Sequence, residues 1–260
     1  MALGDHLREL RARVLRSILV LTLAFVVLLF CYEQLLDFVM DPYNQARVAL
    51  GHSVQTKAYV KGVGGPLMLQ LKLCGVAAII ATSPYWLYQI WAFIVPGLHP
   101  HERKWTRIFV AIAGPLFVLG VVVGYLVLPK GLEVLLGFTT TNLESLVEFT
   151  EYFSFFTRML LVFGISFEIP LFVVLLNLIG VLPAKRIAEY RSWIILGIFI
   201  FAAVATPSTD PFSMLFLGVP MVILFLIAEV VARITDKRRR ERATAQPAVA
   251  DDEATPYDQL

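Results

Sequence analysis

Long stretches without one charged side chain recur along this chain, and they leave few folds open to it. Residues 17–32, 73–101, 108–129, 192–209 and 211–228 contain no Asp, Glu, Lys or Arg. Runs of about twenty largely apolar residues are long enough to cross the hydrocarbon layer of a bilayer as helices. The bulk composition agrees. The chain is 58% hydrophobic and 16% charged, with a mean hydropathy of +0.75, whereas soluble domains average about 45–50% apolar residues. The sequence therefore reads as an all-α integral membrane protein.

Six spans are expected, at about 17–34, 71–95, 108–128, 153–182, 193–206 and 212–232, forming one membrane domain over residues 1–234. Basic residues and then an apolar run open the chain, but there is no small-residue cleavage site, so this segment is kept as a helix. Leu35, Leu36, Phe38 and Val39 suggest a short interfacial helix, and breaks are expected at Asp41-Pro42, Gly51-His52 and Gly62 to Pro66. Pro84 should kink the second span, because proline lacks a backbone donor and clashes with the preceding turn. Pro129 should end the third. The following loop is acidic, and Thr141 to Glu144 has capping-box spacing. The fifth span is short: about 13 apolar residues reach only about 20 Å. A charged tail, residues 235–260, is expected to be disordered. Cys31 and Cys74 fit neither a disulfide framework nor a metal site and are expected to be buried as small apolar groups.

Charge asymmetry sets the orientation. Sixteen of the 22 Lys and Arg residues fall in the N-terminus, the corner around residues 102–107, the turn at 185–191, and the tail together with Arg233 just before it. Cationic loops stay on the cytoplasmic side, so both termini are expected there.

Enzyme chemistry finds little support. His6, His52, His99 and His101 all lie in tails or loops, and neither a phosphate-binding loop nor an H-E-x-x-H motif is present. No carboxylate pair is closely spaced within the spans. Two kinds of acid remain. Glu168 falls inside the fourth span, where an ionised group costs about 2.5–3.5 kcal/mol on an insertion scale; it should face a polar groove or partner, or sit protonated between helices. Glu102 lies in the corner that follows Trp91 and Phe93, two aromatics expected at an exposed edge. It could simply favour the helix dipole after Pro100. It could instead capture a guanidinium in two-pronged fashion. Glu9, on the same side of the membrane, offers a second carboxylate, and two such acids could read two arginines of a peptide. Arg8, Arg11, Arg103 and Lys104 could neutralise them internally.

Four motifs carry a resemblance: His6-Leu-x-Glu-Leu-Arg-x-Arg13, Tyr88-Gln-Ile-Trp-Ala-Phe-x-x-Pro-Gly-Leu98, His101-Glu-Arg-Lys104 and Phe163-Gly-x-Ser-Phe-Glu-x-Pro170. Over about residues 5–232 the chain resembles the TatC subunit family of the twin-arginine (Sec-independent) protein translocase. The resemblance implies a cup-shaped six-span bundle in a bacterial-type cytoplasmic membrane, acting as receptor for twin-arginine signal peptides on folded cargo. It implies that Glu9 and Glu102 recognise the arginine pair, with Gln89 and Phe93 lining the same surface. Glu168 would sit in the concave groove, Pro42 in the first outer loop, and Asp210 in the outer turn between spans five and six. Single-span TatA and TatB are the implied partners, with TatB meeting span five and the outer hairpin. Self-association in a multi-subunit complex is implied too, with transport driven by the proton-motive force and no cofactor, nucleotide, metal or nucleic acid. The His99-Pro100 pair departs from some relatives and bears on where the next helix starts. A proton- or ion-coupled small-solute transporter using Glu168 is the alternative, although no internal repeat of spans is visible. A structural membrane scaffold is a third reading.

Overall fold

A computed structural model describes residues 3–50, 57–94, 103–137, 146–205 and 211–245. Nine helices and one short strand pair make up the described residues: α1 (Leu3–Leu29), α2 (Tyr32–Ala49), β1 (Lys57–Tyr59), α3 (Gly65–Ala81), α4 (Ser83–Ile94), α5 (Arg103–Gly137), β2 (Leu146–Glu148), α6 (Phe149–Leu178), α7 (Ala184–Glu189), α8 (Arg191–Ala205) and α9 (Pro211–Ala245). The fold is an all-α membrane bundle. Leu7–Leu29, Ala111–Gly137, Phe149–Leu178 and Met214–Arg238 are each long and apolar enough to cross a bilayer. The bent pair α3–α4 and the shorter apolar α8 complete a six-span arrangement.

The bundle is built around α5 and α6. Both carry glycines where they cross: a Cβ on Gly120 would lie 2.6 Å from the Phe163 carbonyl oxygen, and one on Gly164 would lie 2.8 Å from the Phe117 ring. Without side chains at these points the two backbones meet directly, the usual device where lipid supplies no hydrophobic force between helices. Met159, Phe163 and Phe117 are sealed beside this crossing. Around it, α4 and α2 pack on α5, α9 packs on α6, and α8 packs on α9. α1 lies at the periphery, chiefly against α3 and α4. Its Leu15, Ile18, Leu19, Leu23 and Val27 remain exposed, a surface suited to acyl chains.

The kink expected at Pro84 is a full break. α3 and α4 meet at 55°. Thr82 stops α3 by donating its hydroxyl to the Ala78 carbonyl at 2.7 Å, and its own carbonyl accepts from the Tyr85 and Trp86 amides. Pro84 seats against Gly114 of α5, where a Cβ would approach within 2.9 Å.

Two other prolines overturn the sequence expectation. Pro42 is not in a loop: α2 runs unbroken through it, and the residue is buried. Proline cannot donate to the carbonyl four residues back. That carbonyl belongs to Phe38, and the Tyr125 hydroxyl of α5 donates to it at 3.1 Å while the two rings stack at 4.4 Å. The Tyr152 hydroxyl of α6 caps the neighbouring Val39 carbonyl. Neighbouring helices thus replace the missing bond. Tyr125→Phe keeps the stacking but removes the bond to the Phe38 carbonyl, at a cost of about 0.5–1.5 kcal/mol. A lowered thermal midpoint of the detergent-solubilised protein is the expected result; an unchanged midpoint would remove this account. Pro129 likewise does not end the third span, since α5 continues to Gly137.

Other boundaries move as well. The helix that carries the first expected span starts well before residue 17, extending through the basic segment from Leu3, and turns at Phe30–Cys31. Cys74 is buried, but Cys31 is exposed at that turn, contrary to expectation. α9 continues to Ala245, past the expected domain end at residue 234. A parallel ladder pairs Lys57 with Leu146 and Tyr59 with Glu148, tying the α2–α3 connection to the start of α6; no strand is expected from the sequence. The capping-box segment from Thr141 lies outside the described residues.

Candidate functional site

α4 positions two of the expected site residues, Gln89 and Phe93, four residues apart. Gln89 is buried, and its Oε1 accepts from Arg13 Nη1 of α1 at 3.1 Å. Arg13 also donates Nε and Nη2 to a single oxygen, Oε1 of Glu9, at 3.0 and 2.6 Å. Glu9 and Arg13 are four residues apart, so they share one helix face. The result is a chain of contacts, Glu9–Arg13–Gln89, that fastens α1 to α4. Glu9 is one-third exposed and Arg13 about one-fifth. Oε2 of Glu9 has no bonded partner among the described residues. Phe93, one turn beyond Gln89, is half-buried.

Trp91, between them, is buried rather than edge-exposed. Its indole Nε1 donates to Glu168 Oε2 of α6 at 3.3 Å, and its ring lies 6.2 Å from that of Phe172. Oε1 of Glu168 is buried without a hydrogen-bond partner. Ser166 turns its hydroxyl back to its own helix, to the Val162 carbonyl. Glu168 therefore has one satisfied and one unsatisfied oxygen, an arrangement that favours either a proton on the carboxyl or a visiting donor.

A third acidic centre escapes the sequence reading. Glu229 of α9 is almost fully buried. Arg233, one turn on, donates Nε and Nη2 to its Oε1 at 3.1 and 2.6 Å. Arg191, at the start of α8, adds Nη2 to Oε1 at 2.6 Å and Nε to Oε2 at 2.9 Å. Nearby, Asp236 accepts from the Ala184 amide at 2.7 Å and from Asn177 Nδ2 at 3.0 Å, capping α7 and holding the α6–α7 turn. The i, i+4 spacing of Glu229 and Arg233 is a readable signal, as is that of Glu9 and Arg13; the approach of Arg191 is not.

The structure therefore joins Glu9 to Gln89 through Arg13, and joins α4 to Glu168 through Trp91. Pro42 sits apart, inside α2. Glu102 and Asp210 lie outside the described residues. Among the described residues, no cluster of three or more His, Cys, Asp or Glu side chains could hold a metal ion.

These features define a class: a six-span helical membrane protein whose polar side chains gather where α1 meets α4 and where α4 faces α6. A profile described as Sec-independent protein translocase protein (TatC) matches residues 5–220. The Sec-independent protein translocase protein TatC of Frankia casuarinae is 40% identical over 266 residues, spanning 99% of this chain and 73% of that protein. That of Corynebacterium kroppenstedtii is 38% identical, over 98% and 67% respectively. A crystal structure of the twin arginine translocase receptor TatC superposes with a TM-score of 0.70 at 27% identity, covering 89% of this chain and 99% of that one. The chain belongs to the TatC family of Sec-independent protein translocase proteins.

Proposed function

We propose that this chain is the signal-peptide receptor and core subunit of a twin-arginine translocase, taking an arginine pair of folded cargo at the cytoplasmic ends of α1 and α4. The observation that supports this best is Glu9: an ionisable acid, one-third exposed, with one carboxylate oxygen bonded and the other without a partner among the described residues. A carboxylate in that state suits a guanidinium, which can make two parallel hydrogen bonds to it. Glu102 supplies the second acid, and Gln89 and Phe93 border the same surface. The apolar part of the signal peptide then lies along the groove between α4 and α6, where Glu168 offers an unsatisfied oxygen to a polar group of the incoming chain.

The protein is placed in a bacterial-type cytoplasmic membrane with both termini inside, following the positive-inside rule. The membrane domain spans about residues 1–234, the residues beyond it form a cytoplasmic tail, and Pro42 and Asp210 belong to the outer side. TatA and TatB are the partners, within a self-associating complex energised by the proton-motive force. The family assignment lends no support to a small-solute transporter.

The test is binding of a synthetic signal peptide with two consecutive arginines to the full chain in lipid nanodiscs. Glu9→Gln removes the charge but keeps the shape, and is expected to weaken binding about tenfold or more, as for loss of a charge-assisted bond worth about 1.5–3 kcal/mol. Equal affinity for the variant and the parent would rule the Glu9 role out.

A further inference from the structure

The molecule contains the same Glu–Arg device twice, once complete and once half-filled. At Glu229, the arginine four residues on takes Oε1 with Nε at 3.1 Å and Nη2 at 2.6 Å. A second arginine, Arg191 from another helix, then grips the carboxylate with Nη2 on Oε1 and Nε on Oε2. At Glu9, the arginine four residues on takes Oε1 with Nε at 3.0 Å and Nη2 at 2.6 Å. The arrangement of donors is the same, yet nothing described occupies the place that Arg191 holds at Glu229.

We propose that Arg13 is a positioning residue for arginine recognition: it locks the Glu9 carboxylate with Oε2 turned outward, so that a peptide arginine can dock as Arg191 docks on Glu229. The proposal rests on the reading of Glu9 as an arginine acceptor and specifies what gives that acceptor its selectivity. A carboxylate has about four lone-pair sites, so two donors from Arg13 leave room for a second guanidinium. Arg13 is itself held by Gln89 Oε1 at 3.1 Å, so α4 sets where the carboxylate points. A locked carboxylate favours arginine over lysine, because only the planar guanidinium places two N–H groups in a fixed fork. The net positive charge of two arginines on one acid is no obstacle. Glu229 carries that load with a side chain only 3% exposed, whereas that of Glu9 is 33% exposed and better solvated.

The contrary role is that Arg13 occupies Glu9 as a stand-in that cargo must displace. The two roles predict opposite signs. The experiment measures affinities of a twin-arginine peptide and its twin-lysine counterpart for the full chain in nanodiscs, comparing parent, Arg13→Lys, Arg13→Gln and Glu9→Gln. Lysine at 13 cannot put two rigid N–H donors on Oε1, so the Glu9 carboxylate swivels. Arg13→Lys is expected to weaken twin-arginine binding about tenfold while leaving twin-lysine binding unchanged. The arginine-over-lysine preference then shrinks by that factor, and this ratio does not depend on the fraction of folded protein. Arg13→Gln is expected to shift the ratio the same way, and decides the matter if the lysine variant does not assemble. An unchanged ratio, or tighter twin-arginine binding, overturns the proposal. If Glu9→Gln alone is without effect, the receptor role of Glu9 fails. If Glu9→Gln weakens binding but neither Arg13 variant alters the ratio, only the positioning role fails.

Discussion

Gly120→Val is expected to force α5 and α6 apart and to produce the largest loss of stability of any single change considered for this protein. The first added carbon would stand 2.6 Å from the Phe163 carbonyl oxygen and 3.0 Å from Gly164 Cα. Those are backbone atoms of a facing helix, so no rotamer change can relieve the contact. Moving the whole helix would also disturb Gly124, whose Cβ position lies 3.0 Å from the Phe163 side chain. Overpacking ordinarily costs about 1–3 kcal/mol; a valine against backbone belongs at the top of that range. The midpoint of thermal unfolding in detergent should fall by roughly 10 °C. Gly197→Ala is the matched control, because nothing lies within 4 Å of its added carbon; it should leave the midpoint in place. If the two variants melt together, close backbone approach is not what holds α5 to α6.

Glu229→Gln should rank next. Its carboxylate is almost fully buried and neutralises Arg191 and Arg233, which converge on the same oxygen at 2.6 Å. Glutamine keeps the volume but leaves two guanidinium groups facing each other. Removing one partner from a buried ionic cluster costs about 3–5 kcal/mol. Both arginines remain about half exposed, so water recovers part of that and about 2–3 kcal/mol is the expected loss. The effect should be local, because Arg191 is the link by which α8 is tied to Glu229 of α9. Hydrogen exchange should therefore quicken in α8 while α5 and α6 stay protected. The double variant with Arg191→Leu should recover part of the loss, since it removes the stranded charge. Equal protection of α8 in parent and variant would show that the cluster does not hold this helix.

The charge-free runs, the acid inside the fourth span and the motif around Glu9 could all be read without coordinates, because each depends on residue type along a contiguous stretch. Prolines show where that reading stops. Pro84 breaks its helix as a local rule predicts, but Pro42 and Pro129 do not. At Pro42 the difference is a tyrosine 83 positions away: Tyr125 satisfies the carbonyl that proline leaves open. No local pattern predicts such a partner. The β1–β2 ladder escapes for the same reason, since each strand has only three residues and exists through the other. Trp91 is expected at an exposed edge, yet its indole donates inward to Glu168, 77 positions away in the chain. Glu229 falls inside the expected sixth span and drew no reading from the sequence, because its engagement depends on Arg191 arriving from α8.

Sequence alone thus determined that the chain is helical, that it belongs in a bilayer and which acids stand out, because hydropathy and helical periodicity are carried by neighbouring residues. Only the tertiary structure decided which acids are engaged. Among the described residues, Glu9 keeps one oxygen without a partner, Glu168 is half satisfied and Glu229 is saturated. The three are the same residue type, and they differ in how many donors neighbouring helices bring within hydrogen-bond distance.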